Sequence, residues 1–254
     1  MRPGAGRVGL VLWERTMRAI REGASVALPH PATVELRHQG WTLLRDQPFL
    51  RADATADPHR CLGLAAGWGR PSARDGGRAA WPVRATRAGG TVSQTSGAAP
   101  LHTDAAYRER PEAGMCLFSV RPARDGGRTL LLDADTALAD LPDRMLNRLR
   151  RADWSWRTPE PFVPEAPFRA AVVTLPPSGA AALRWRPDLL MCGDAEQRAA
   201  AEEFARHLAR LPAVELALRP GDALILDNRR ILHGRTAFGD PARMLVRVRL
   251  WTLP

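Results

Sequence analysis

The stretch Pro100 to Gly114, PLHTDAAYRERPEAG, places a histidine and an aspartate one residue apart, just ahead of a segment that reads as a strand. Residues i and i+2 of an extended chain point to the same side, so His102 and Asp104 can offer an imidazole and a carboxylate to one point while Thr103 faces away. Taken alone the pair could equally be two polar residues in a turn, because two ligands hold a catalytic metal poorly. A third has to come from His30, His38, His59, His207 or His233. His38 and His207 fall in helical stretches that favour solvent, and His30 and His59 sit beside prolines in turns. His233 differs: it follows RPGDALILDNRRIL, in which a Pro220-Gly221 turn launches an apolar strand ending at Asp227-Asn228. Two histidines and one carboxylate on one face of a metal leave the opposite positions open, which suits non-haem Fe(II) and O2 activation.

Many short elements must carry these residues. Apolar spacing predicts helices over Glu14 to Gly23, Ala32 to Gly40 and Pro58 to Gly67, with a strand at Trp41 to Arg45. Gly67 to Pro82 is rich in Gly, Pro, Ser and Arg and reads as a mobile flap. Strands are expected at Val83 to Ala85, Thr91 to Thr95, Met115 to Val120 and Thr129 to Leu132, the last two joined by a turn at Gly126-Gly127. A helix follows at Asp143 to Arg151, then a proline-rich loop, Arg157 to Phe168. Further strands are expected at Ala170 to Leu175, Ala182 to Arg186, Val214 to Leu218, Ala223 to Leu226 and Met244 to Trp251. Asp194 caps the clearest helix, Ala195 to Leu211. The pattern is α+β, mainly β, and suggests a double-sheet barrel flanked by helices.

Composition narrows the function. The 254-residue chain carries a formal charge of +10, yet all 37 basic residues are arginine, scattered among acids rather than gathered into a tract with stacking aromatics. Nucleic acid is therefore not the expected partner, whereas small anions are drawn to such a surface. Cys61, Cys116 and Cys192 are odd in number and far apart, so they specify neither a disulfide framework nor a zinc site. The run Val8 to Trp13 is too short for a signal segment or a membrane span, which points to a cytoplasmic protein with no membrane partner. No feature selects an oligomeric state.

The motifs LHTDAAY (Leu101 to Tyr107), DGGRTLLLDA (Asp125 to Ala134), PGDALILDNRRILHGRTAF (Pro220 to Phe238) and RMLVRVRL (Arg243 to Leu250) resemble, in order, those of the Fe(II)/2-oxoglutarate-dependent dioxygenases of the taurine dioxygenase and clavaminate synthase type. The resemblance implies one dioxygenase domain over 1–254 with a double-stranded β-helix, or jelly roll: an N-terminal α/β portion at 1–70, the flap at 67–82 and the core at 83–254. It implies iron ligands at His102, Asp104 and His233, contacts to 2-oxoglutarate from Thr129 and Arg243, and a substrate contact from Arg247. A guanidinium suits the cosubstrate's distal carboxylate, being permanently charged and two-pronged. Gln94, with Ser93, is a further pocket-lining candidate on the strand leading to His102.

The implied reaction consumes O2 and 2-oxoglutarate and hydroxylates an unactivated C–H of a small anionic or zwitterionic, amino-acid-like substrate. Desaturation, epoxidation or cyclisation would follow from a different substrate placement. Retention of Asp104 argues against halogenation, for which relatives free that position. Two other readings compete: a cupin-like iron enzyme without 2-oxoglutarate, which would leave Arg243 in solvent, and a non-catalytic jelly-roll protein that binds a small ligand, which would leave the triad too distorted to hold iron.

Overall fold

Period-two alternation accounts for the centre of the molecule. In the computed structural model, which describes residues 30–74, 76–86, 91–159, 162, 166, 168–176 and 180–254, strands β4 (Gly114–Arg121), β11 (Ala223–Asp227) and β13 (Met244–Leu250) send alternate side chains to opposite faces of one sheet. Cys116, Phe118, Val120, Ile225, Val246, Val248 and Leu250 form one apolar layer with Leu36 and Cys61. Those two residues come from helices α1 (Pro31–Gln39) and α2 (Pro58–Ala66), so the layer lies under the helices. Met115, Leu117, Leu224, Leu226 and Leu245 face the other way, into the interior.

This larger sheet is antiparallel and adds β1 (Trp41–Leu44) and β2 (Ala80–Val83), in the order β1-β11-β4-β13-β2. A smaller antiparallel sheet pairs β10 (Val214–Leu216), β5 (Thr129–Asp133), β12 (Ile231–Arg235) and β3 (Ala99–His102) in that order. Two facing antiparallel sheets of this topology are the jelly roll expected from the motifs.

Short helices α3 (Ala134–Leu138) and α4 (Asp143–Leu149), the strand pairs β6 (Ser155–Trp156) with β9 (Leu190–Met191) and β7 (Val173–Thr174) with β8 (Ala182–Leu183), and helix α5 (Ala195–Leu208) complete the order. Asp194 caps α5 by accepting a hydrogen bond from the Gln197 amide at 2.7 Å. The buried Phe204 of α5 meets Trp185 edge-on with ring centroids 4.9 Å apart. This contact anchors the segment that runs past Thr103, to which the Trp185 backbone is hydrogen-bonded.

Several expectations shift. The expected helix at 14–23 and the apolar run at 8–13 lie outside the described residues. Val92–Gln94 is a 3-10 turn rather than a strand, because Thr91 and Gln94 form a capping box there. The two strands expected across 170–186 shrink to two residues each. A strand at 231–235, the one that carries His233, was not expected from the apolar pattern.

The stretch 67–82, expected as a flap, is fastened along the sheet instead. Its last residues form β2, Pro71 bridges Leu250, and the Ser72 amide donates to the Arg249 carbonyl at 2.9 Å. No described residue of 67–82 lines the central cavity. Among the described residues no helix is long and apolar enough to cross a membrane.

Candidate active site

His102 ends β3 and His233 lies mid-strand in β12, and the two are paired directly across the smaller sheet. A bulge follows, since Arg235 pairs with Ala99. Gly234 makes that close pairing possible, because a Cβ there would stand 2.8 Å from the Ala99 carbonyl oxygen. The imidazole centroids are 4.3 Å apart. The His102 Nδ1–H donates to the Pro100 carbonyl at 2.8 Å, which leaves Nε2 as the free, electron-donating nitrogen.

Asp104 is brought in by the turn after β3. Ala105 takes a left-handed backbone at φ 58°, a conformation that costs a non-glycine residue roughly 1–2 kcal/mol and is held by its surroundings. Asn228 supplies much of that hold. Its Oδ1 accepts from the Asp104 amide at 2.7 Å, while its Nδ2 donates to the carbonyls of Asp104 and Glu112, each at 3.0 Å. Thr103 faces away and exchanges hydrogen bonds with the backbone of Trp185, at 2.7 Å from its own amide and 2.9 Å to its hydroxyl. Arg186 is thereby set beside the site.

The two oxygens of Asp104 differ. Oδ2 pairs with Arg247 Nη1 at 2.9 Å and accepts from Arg249 Nε at 3.0 Å. Oδ1 is buried without a hydrogen-bond partner, 3.8 Å from His102 Nε2 and 3.9 Å from His233 Nε2, with Arg186 Nη1 at 3.8 Å. A buried carboxylate oxygen left bare between two imidazole nitrogens is what a metal ligand looks like without its ion. The three donor atoms lie within 4.8 Å of one another, so the residues fit a divalent metal of the non-haem iron type.

Protonation states suit that use. Burial lowers His233 to about 4, Asp104 opposing the shift and Arg247 reinforcing it; burial and the neighbouring imidazole likewise depress His102. For Asp104, burial alone would raise the pKa, but Arg247 and Arg249 hold it well below the ordinary carboxylate range. At neutral pH both imidazoles are neutral and the carboxylate is ionised, ready to bind a cation without releasing protons.

The cavity runs from this cluster between the sheets to Thr129 and Arg243, both buried and both lining it. Arg243 sits just before β13, its guanidinium over the Phe238 ring at 5.0 Å and its Nη2 donating to the Gly127 carbonyl at 3.4 Å. Gly127 is needed there, since it has φ 64° and a Cβ would come within 3.0 Å of Arg243 Nε. Burial, with Arg235 nearby, brings the Arg243 guanidinium down to about 10.

Arg247 also lines the cavity, tied to Asp104 as described. Gln94 does not line it: its side-chain oxygen accepts from the Thr91 amide at 3.2 Å, and its turn-mates Thr91, Val92 and Ser93 face the cavity instead. Tyr107, Phe162, Arg186, Arg235 and Arg249 also line the cavity, a role the sequence alone did not suggest for them. Of these, only Arg235 had a signal, its position two residues after His233 on an extended strand. Cys61 and Cys116 are packed beneath the helices, and burial pushes the Cys61 thiol up to about 12.

Comparison with known proteins agrees with this architecture. No curated protein matches the sequence. Among solved structures, an asparagine oxygenase in complex with Fe(II), 3-hydroxyasparagine and succinate superposes with TM-score 0.69 at 19% identity, over 86% of this chain and 77% of that one. The non-heme iron oxygenase OrfP in complex with Fe and alpha-ketoglutaric acid superposes with TM-score 0.68 at 19% identity, over 93% and 79%. At these identities the likeness is one of fold. Residues 30–249 match the family described as taurine catabolism dioxygenase TauD, TfdA, and the chain belongs to that family.

Proposed function

We propose that the protein is an Fe(II)- and 2-oxoglutarate-dependent dioxygenase that hydroxylates an unactivated C–H bond of a small, amino-acid-like anion or zwitterion. The observation that carries the reading is the bare Asp104 Oδ1 facing the Nε2 atoms of His102 and His233 in a buried cavity. These three residues would hold iron, with Thr129 and Arg243 at the distal carboxylate of 2-oxoglutarate. When bound, iron and cosubstrate supply O2 activation coupled to oxidative decarboxylation.

The chain's own residues supply the rest. Arg247 and Arg249 fix Oδ2 so that Asp104 presents one oxygen only, and Asn228 fixes the backbone behind it. Val83, Val92, Met115, Leu117, Phe162 and Leu245 give the cavity an apolar lining that keeps water from the reacting bond. Arg247 faces the cavity, where its charge can also meet an anionic group of the substrate. The amino-acid class is supported by relatives solved with 3-hydroxyasparagine and with (3S)-hydroxy-L-Arg.

Anaerobic titration of the metal-free protein with Fe(II) and then 2-oxoglutarate tests the reading. A weak visible charge-transfer band is expected, absent in His102→Ala. In Arg243→Ala, loss of a buried charge-assisted contact of about 3 kcal/mol should raise the 2-oxoglutarate requirement about 100-fold. Iron binding without the band would favour an iron enzyme that does not use 2-oxoglutarate, and no iron binding would end the proposal.

A further inference from the structure

Thr129 and Arg235 are directly paired across β5 and β12, so their side chains leave the sheet on the same face about 5 Å apart. Both are buried and line the cavity, as does Arg243. The Arg235 and Arg243 guanidiniums lie 4.8 and 5.0 Å from the same ring, that of Phe238. Arg235 Nη2 donates to the Thr95 carbonyl at 2.8 Å and to the Gly97 carbonyl. Two N–H groups remain buried without acceptors, Arg235 Nε and Arg243 Nη1.

Neither guanidinium has a carboxylate partner among the described residues, although each is more than nine-tenths buried. Two adjacent buried cations are costly unless an anion neutralises them. At the other end of the cavity Asp104 does this for Arg247 and Arg249. Here no side chain among the described residues does.

We propose that Arg235 is a second binding residue for the distal carboxylate of 2-oxoglutarate, so that the carboxylate sits between two guanidiniums and the Thr129 hydroxyl. The inference rests on the iron and 2-oxoglutarate reading given above. It gives Arg235 a second consequence, because the same guanidinium holds the carbonyls of Thr95 and Gly97. Residues 91–93, just before them, form part of the cavity wall. Cosubstrate binding and the seating of that wall thus share one side chain.

A purely structural role is separated from a binding role by a ligand that lacks the distal carboxylate. Fe(II)-loaded wild type and Arg235→Gln are titrated anaerobically with 2-oxoglutarate and with 2-oxopentanoate, which chelates through the same end but finishes in a methyl group. The charge-transfer band is the readout.

Loss of hydrogen bonds to a charged group should weaken 2-oxoglutarate about 10- to 100-fold in Arg235→Gln and leave 2-oxopentanoate within about twofold. Equal weakening of both ligands would show that Arg235 acts only through the loop, and no weakening of either would show that it does not reach the cosubstrate; both overturn the proposal. If Arg235→Gln binds no iron, Arg235→Lys keeps the charge with a different donor set and is read by the same ratio. Absence of the band in wild type with 2-oxoglutarate would be a failure of the iron and 2-oxoglutarate reading itself, and is distinguishable on that ground.

Discussion

Along β13, Val246, Val248 and Leu250 enter the apolar layer beneath the helices, whereas Leu245, Arg247 and Arg249 enter the cavity. Both faces are buried, so the strand is not amphipathic in the usual sense of one wet and one dry side. What differs is the reason for burial. The valines and Leu250 are buried because removing apolar surface from water is favourable. The arginines are buried in spite of their desolvation cost, and Asp104 with its two short contacts is what offsets it. One face therefore stabilises the fold, while the other draws on that stability to keep a carboxylate aimed at a metal position.

The largest expected effect comes from removing Asp104. Asp104→Ala removes the carboxylate that meets Arg247 and Arg249 in a buried site, and breaking such a pair costs about 3–5 kcal/mol. The metal-free variant should show that loss in chemical denaturation and should also bind no Fe(II). A variant that loses iron but keeps wild-type stability would mean that the inner face is solvated in the free protein, and the contrast between the two faces would collapse.

A smaller effect is expected on the outer face. Val248 is fully buried against the helix-covered layer, and Val248→Ala removes two methylene equivalents and leaves a small void, at about 2 kcal/mol. The midpoint of unfolding should fall while the affinities for iron and 2-oxoglutarate stay within twofold. A matching loss of cofactor affinity would show that the two faces are mechanically coupled through the strand.

The segment RMLVRVRL also shows what was legible in the sequence. Its alternation announces a strand, and the i, i+2 spacing of His102 and Asp104 announces a shared side, because those are local periodicities that backbone geometry enforces; His233 joined them only through its strand-end setting and the family resemblance. Alternation alone does not say which side is wet. Arg247 and Arg249 read as an ordinary solvated face until β3 and β12 are seen to lie across from them. Asn228 and Arg186 were invisible for a related reason: each acts at Asp104 from more than 80 residues away, through contacts no sequence period encodes. The stretch 67–82 looked mobile by composition, yet its arginines and serine find buried partners, as when Ser72 and Arg74 both donate to Glu112. The strand 231–235 was obscured because a glycine and an arginine interrupt its apolar run just where the site needs them.

An effect of about the same size separates the imidazoles from the arginines on the inner side of the cavity. Burial lowers His233 from 6.5 to about 4, and His102 shifts the same way. Between those two values the unfolded chain binds a proton that the folded chain refuses, so stability falls as pH drops from 6.5 towards 4 and is unaffected by these groups above 6.5. For His233 alone the loss at pH 5 is about 2 kcal/mol, a fall in melting temperature of about 5 °C for a chain of this length. Asp104 acts in the same direction, but its depressed pKa confines its contribution to more acidic solution, below the ordinary carboxylate range. Melting curves of the metal-free protein between pH 7 and pH 5 should therefore slope downward in wild type and more shallowly in His233→Phe, which keeps a ring in place without a titrating nitrogen. If the two slopes coincide, His233 takes up its proton in the folded state as readily as in the unfolded one. The imidazoles would then lie in a wetter place than the arginines across from them, and the dry, ligand-ready cluster on which the site is built would not exist at neutral pH.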